Sequence, residues 1–184
     1  MLKTLSIALL IALFAGCTPS TQPTQTPVKK EVKKKSKKHK KMAKHMGHLF
    51  QSVALKDATL VQTGKHKNSC VRCGMKLNKF YKTNYMATED GKNLQYCSIH
   101  CLAEHLSKGA ELENPKVVDV TSLKFIPVLE AYYVVGSDVR GTMSRVSKYA
   151  FKSLDDAKAF AKKYGGEIMD FSSALKKAKE DFKH

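Results

Sequence analysis

Four cysteines set in two close pairs constrain this chain more than any other feature. The first pair is Cys70-Val71-Arg72-Cys73, followed by Gly74-Met75, and the second is Cys97-Ser98-Ile99-His100-Cys101. The pattern is C-x2-C, 23 intervening residues, then C-x3-C. Each pair offers one ion two sulfurs, and the spacer is long enough to fold back and bring the pairs together. Four soft thiolates then suffice for a tetrahedral or trigonal metal site. Three uses of the pattern stand side by side: a Cu(I) site, a structural zinc site, and two disulfides with three possible pairings. Met75, a thioether beside the first pair, favours Cu(I), the softer ion.

The spacer reads as a structure built to make that return. Gly74 lets the chain double back next to Cys73. Residues 81–88 are rich in β-prone side chains, Asp90-Gly91 is a strong hairpin signal, and residues 93–96 lead back to Cys97. Ser98 suits a helix N-cap, and Ile99, Leu102 and Leu106 fall on one face of a helix running to about residue 108. Cys101 then lies in the first helical turn, where the helix N-terminus stabilises a thiolate. A third strand is expected at 116–120. The second half repeats the order, with strands at 130–135 and 146–151, a helix capped by Ser153, a break at Gly165-Gly166 and a strand at 167–170. The fold class is α+β: two small ββαβ units in tandem, spanning 49–122 and 123–184, with a C-terminal amphipathic helix over 172–184.

The N-terminal quarter is of another kind. Of the net charge of +17, residues 29–44 supply ten Lys against one Glu. A nucleic-acid reader spreads its cations over a folded face with aromatics, so no nucleic-acid partner is implied. Lys3 and the short apolar run 5–14 form a signal peptide over residues 1–16, too short to span a bilayer. Leu13-Phe14-Ala15-Gly16-Cys17 resembles a bacterial lipobox, which implies cleavage before Cys17, its lipidation, and export to the periplasm with anchoring to a membrane, the outer rather than the inner. Residues 17–48 form a flexible tether: Pro and Thr first, then Lys, then His45, Met46 and His48, whose imidazoles and thioether are accessory copper ligands or plain linker residues.

Cys70-Val71-Arg72-Cys73-Gly74-Met75 resembles the Cys-x-x-Cys-Gly-Met motif of NosL-type lipoproteins. Residues 130–137, Glu-Ala-Tyr-Tyr-Val-Val-Gly-Ser, look like the family's Ala-x-Tyr-Val-x-Gly-Ser strand, and Thr142-Met143 stands where a Pro-Met is usual. Tyr96-Cys97-Ser98-x-x-Cys101 is similar to the end of a TRASH-type motif, a treble-clef-like metal-binding element. The resemblance implies a single Cu(I), bound by Cys70, Cys73, Met75 and Met143, and delivery to a periplasmic cuproenzyme, nitrous oxide reductase, alongside its other maturation proteins. The chain is then a carrier, not an enzyme.

Taken singly, Met143 sits in a polar loop without apolar periodicity, which argues against a core role. His100 and His105 lie on the helix after Cys97; the four-residue step from Cys101 to His105 puts them on one side, as ligand, outer partner or solvated residue. Two other functions stay open: a thiol–disulfide oxidoreductase using Cys70 and Cys73, although that pair opens a Gly-Met turn and not a helix, and a structural zinc module.

Overall fold

The computed structural model describes residues 49–181. The signal peptide, Cys17, the tether with His45, Met46 and His48, and the last three residues lie outside them. Among the described residues no helix is long and apolar enough to cross a membrane.

Among the described residues, seven strands and three α-helices follow one another as β1 (Tyr85–Glu89), β2 (Lys92–Tyr96), α1 (Ile99–Ser107), β3 (Glu113–Val118), β4 (Phe125–Pro127), β5 (Tyr132–Val135), β6 (Lys148–Phe151), α2 (Leu154–Tyr164), β7 (Glu167–Met169) and α3 (Phe171–Glu180). Strand, strand, helix, strand thus occurs twice, as the sequence pattern implies. The strands form two antiparallel sheets, ordered β2-β1-β3-β4 and β6-β5-β7. The first sheet gains β4, which the sequence does not announce. It is three residues long, ends in Pro127 and pairs only with β3, and a sheet edge is a place where a residue without an N–H is tolerated. The first sheet therefore continues past residue 122.

The β1–β2 hairpin is the two-residue turn its Asp-Gly sequence calls for, with Glu89 facing Lys92 and positive φ at both Asp90 (48°) and Gly91 (72°). The strand expected from residue 81 begins only at Tyr85. Residues Leu77–Thr83 form a kinked 3-10 segment, because Thr83 turns its hydroxyl inward, to the carbonyls of Phe80 and Cys97. Ser98 occupies the N-cap of α1 but its side chain makes no cap hydrogen bond. Ser153 and Asp170 do cap, accepting from Asp155 and Asp156 and from Ser173 respectively.

Period-two alternation along the second sheet divides the interior. Tyr133, Val135 and Ala150 point into a core that also holds Leu77, Tyr85, Tyr96, Leu102, Ala174, Ala178 and three of the cysteines. Val134, Tyr149 and Phe151 point the other way, onto α2 and Phe160. The two sheets and α3 share the first core, so the cysteine cluster is embedded where both ββαβ units meet. A buried carboxylate joins the sheets as well: Asp119 accepts from the backbone of Ser122 and of Lys152, while Val120 N donates to Ala150 O.

Candidate metal centre

The first cysteine pair sits on a tight knuckle. Cys70 N donates to Met75 O (2.8 Å) and Gly74 N to Cys70 O (2.9 Å), with Ser69 bridged to Lys76 below. Gly74 takes φ 74°; a methyl group there would meet nothing within 4 Å, so the backbone angle, and not space, demands glycine. Val71 N donates to Gln95 O, which seats the knuckle beside the end of β2. The second pair comes from that same end and from the first turn of α1. Knuckle, hairpin and helix thus follow one another around the four cysteines.

The four sulfurs of Cys70, Cys73, Cys97 and Cys101 converge, all lying within 4.8 Å of one another. Cys73 and Cys97 are 3.4 Å apart and Cys97 and Cys101 3.7 Å. All four are free thiols. A tetrahedron with metal–sulfur arms of about 2.3 Å has edges of about 3.8 Å; the cluster fits such an ion with sub-ångström adjustment. Cys70, Cys97 and Cys101 are buried and Cys73 is exposed, so the centre is closed on three sides and open on the fourth.

Hydrogen bonds from the thiols of Cys101 and Cys97 pull the Cys70 thiol far below its usual range, against the opposing effect of burial. The bonds of Cys97 to Cys101 and to Cys70, with burial, push the Cys97 thiol up, and the bond to Cys70 pushes Cys101 up. A metal binds these sulfurs as thiolates, so its binding would release protons from the cluster.

The open side leads into a cavity of about 230 Å³ lined by Arg72, Cys73, His100, Cys101, Glu104 and Met143. Met143 is 51% exposed and holds φ 65°, a left-handed angle unusual for an unbranched non-glycine residue. It is therefore presented at the mouth of the site, away from the core. Met75 lies behind the knuckle, partly buried and packed on the main core. Arg72 forks onto Glu104 of α1 (2.7 and 2.9 Å), clasping the knuckle to the helix that carries Cys101.

The two histidines of α1 are engaged elsewhere. His105 Nδ1 pairs with the Tyr96 hydroxyl (2.9 Å) and its Nε2 stands 3.8 Å from Glu89, so its ring turns along β1 and β2 despite the helical step from Cys101. His100 Nε2 meets Asp181 Oδ2 at 2.7 Å. That carboxylate also accepts from Lys148 Nζ (2.8 Å) and Ser144 Oγ (2.6 Å), tying α1, the Met143 loop, β6 and the end of α3 together. Neither histidine belongs to the four-sulfur set, although His100 walls the cavity. Sequence reasoning missed Asp181 and the Arg72–Glu104 clasp. Nothing local marks Asp181, 81 residues from its partner; Arg72, inside the motif, and Glu104, one turn beyond Cys101, were visible signals.

The NosL family model matches residues 61–178, well over half of the chain. This chain belongs to the NosL family. Its matched region takes in both ββαβ repeats and the whole cysteine cluster. No curated protein matches it. Among solved structures, this NosL chain is similar to the crystal structure of the copper chaperone NosL from Shewanella denitrificans, at 23% identity, 62% of this chain, 96% of that one and a TM-score of 0.48.

Proposed function

We propose that this NosL-family chain is a Cu(I) carrier, anchored to a membrane through lipidated Cys17 on the periplasmic side, that hands copper to a periplasmic cuproenzyme, nitrous oxide reductase. The observation that carries the reading is a convergent four-sulfur centre with three buried sulfurs and one exposed, opening on a methionine. Soft sulfur donors select Cu(I), and Cu(I) accepts from two to four of them, so ligands can be exchanged one at a time. Cys70, Cys97 and Cys101 hold the ion. Cys73 is the sulfur that an incoming ligand displaces first, because it alone faces solvent. Met143 at the mouth gives the departing ion a thioether on its way out, and Met75 supports the knuckle from behind. The tether residues 17–48 span the gap to the membrane, with His45, Met46 and His48 as weak accessory copper ligands.

The test is an anaerobic competition titration against a Cu(I) chelator. The parent is expected to hold one Cu(I) per chain. Cys70→Ser, Cys97→Ser and Cys101→Ser should each weaken it by about tenfold or more, the size of change that follows losing a ligand contact of about 1.4 kcal/mol, and Cys73→Ser by less. Four variants that bind as tightly as the parent would remove the sulfurs from the copper site; tight zinc with no copper exchange would assign the centre a structural role; reduction of insulin would assign it redox work. Anchoring is tested by Cys17→Ala, which should leave the protein out of the membrane fraction, since the acyl chains provide the attachment.

A further inference from the structure

The charge of the folded region is not spread over it. Residues 49–181 carry 21 Lys and Arg against 15 Asp and Glu. The stretch 58–88 holds six of those cations and no acidic residue, and outside it cations and carboxylates balance at 15 each. The whole net charge of the folded region therefore lies in the segment that carries the knuckle. Of these six, Arg72 is neutralised by Glu104 and Lys82 lies over the Phe50 ring. Lys65, Lys67 and Lys76 are exposed, as is Lys92 on the facing strand, and none of them makes an ion pair among the described residues.

Lys92 lines a groove, and Lys65 and Lys67 are the chain neighbours of His66, which lines it too. The groove measures about 630 Å³ and runs beside the knuckle, lined by Val61, His66, Cys70, Val71, Lys92 and Leu94 among others. The Lys76 ammonium sits 3.5 Å from Ser69 Oγ, on the groove's lip. One wall is the outer edge of β2, the edge strand of its sheet. At Gln95 that edge is taken, its N–H by Gln62 and its C=O by Val71. Two residues back, Asn93 presents its backbone to the same side, in the groove. Val71, 43% exposed, stands between groove and centre.

We infer that this groove is a docking site for an extended, carboxylate-rich segment of a partner protein, steered by Lys65, Lys67, Lys76 and Lys92 onto the open edge of β2, which brings the partner's copper ligands to Cys73. The inference rests on the Cu(I)-carrier reading. An edge strand binds an extended chain by main-chain hydrogen bonds, which a lipid surface cannot offer, and the lysines add the acidic preference. Charge of this kind acts on the encounter rate, by tenfold or more at low salt, and fades as salt rises.

The test uses Cu(I)-loaded full-length protein and two synthetic acceptor peptides, each with the same pair of methionines, one flanked by Glu and Asp and its twin by Gln and Asn. Two variants with equal charge change are compared: Lys65→Glu, Lys67→Glu, Lys76→Glu and Lys92→Glu together, against Lys158→Glu, Lys162→Glu, Lys176→Glu and Lys179→Glu on α2 and α3. All eight side chains are exposed, and circular dichroism confirms folding. The groove set is expected to slow transfer to the acidic peptide by about tenfold at low salt, to leave the neutral twin unchanged, and to flatten the salt dependence, while the α2–α3 set has little effect. Equal slowing by both sets, or equal rates for both peptides, overturns the inference. So does a groove set that changes only binding to vesicles of phosphatidylglycerol. Cu(I) titration of the same variants separates the two levels: loss of copper binding in the parent sinks the carrier reading, whereas copper bound normally but moved without regard to charge sinks only the docking site.

Discussion

Replacing Asp181 by Ala removes the acceptor on which His100, Ser144 and Lys148 converge. The Lys148 side chain is 2% exposed and the Asp181 side chain 24%. Lys148 keeps one other acceptor, Val146 O at 3.1 Å. Stripping one partner from a buried pair costs about 3–5 kcal/mol, because a buried charge is left behind. The partial exposure of Asp181 puts this case at the low end, about 3 kcal/mol. For a region of this size that is a fall in Tm of roughly 10 °C. The chain has no Trp, so urea unfolding is followed by circular dichroism, metal-free and reduced, to keep ligand binding out of the balance. Adding Lys148→Met should return most of the loss by removing the stranded charge. The pH dependence carries its own sign. Burial raises the Asp181 carboxyl, but hydrogen bonds from Lys148, Ser144 and His100 overcome it and hold it down at about 2. Its folded pKa lies below the unfolded one, so its contribution is present above the ordinary carboxylate range and disappears as pH falls toward 2. The Asp181→Ala variant should lack this acid-side loss. A variant within 1 kcal/mol of the parent, or a double variant no better than the single, would refute the buried-pair argument.

Two further outcomes are expected. Gly141→Ala places a Cβ 2.8 Å from Ser144 O and 2.9 Å from Ser147 Cα, both backbone, so the Met143 loop must shift; a loss of about 1–3 kcal/mol in thermal melts and altered Cu(I) exchange should accompany it, and unchanged melts would count against the tight loop. Metal-free protein treated with oxidised glutathione should react first at Cys73, the exposed cysteine of the cluster, with a neighbouring sulfur then displacing glutathione from the mixed disulfide; peptide mapping that finds a first disulfide without Cys73 would contradict this.

How much of this was legible in the sequence depends on the range of the interaction. The Asp90-Gly91 turn, the Ser153 cap and the convergence of two cysteine pairs are local or nearly so, and each is where its residues put it. The α+β class and the double ββαβ order followed from period and punctuation. Contacts between remote segments left no such mark. Thr83 bonds to Thr142 and to the Cys97 carbonyl, which converts the start of an expected strand into a 3-10 turn. Tyr96 draws His105 away from Cys101, an outcome set by a neighbour on β2 and not by helical spacing. Strand β4 escaped because a three-residue edge ending in proline has neither the length nor the alternation to announce itself.

The same remote contacts explain why the centre can be both firm and open. Three of its sulfurs are core residues, held by the packing of Leu77, Tyr96 and Leu102, and their positions cannot relax without disturbing that core. Cys73 alone stands on the outer arm of the knuckle, and what fixes that arm is the Arg72–Glu104 clasp, a half-exposed pair of modest strength. Burial of the Glu104 carboxyl opposes ionisation only weakly; its bonds to Arg72, then Lys108, hold it at about 2, so the clasp stays charged across the physiological range. If it carries copper as proposed, a site built this way would keep the ion through its buried sulfurs and yield it through its exposed one. Weakening the clasp with Arg72→Ala should therefore change exchange rate more than affinity. Stopped-flow transfer to a chelator, set beside equilibrium competition, measures both, and an affinity loss as large as the rate change would show that the knuckle arm is part of the grip and not the gate.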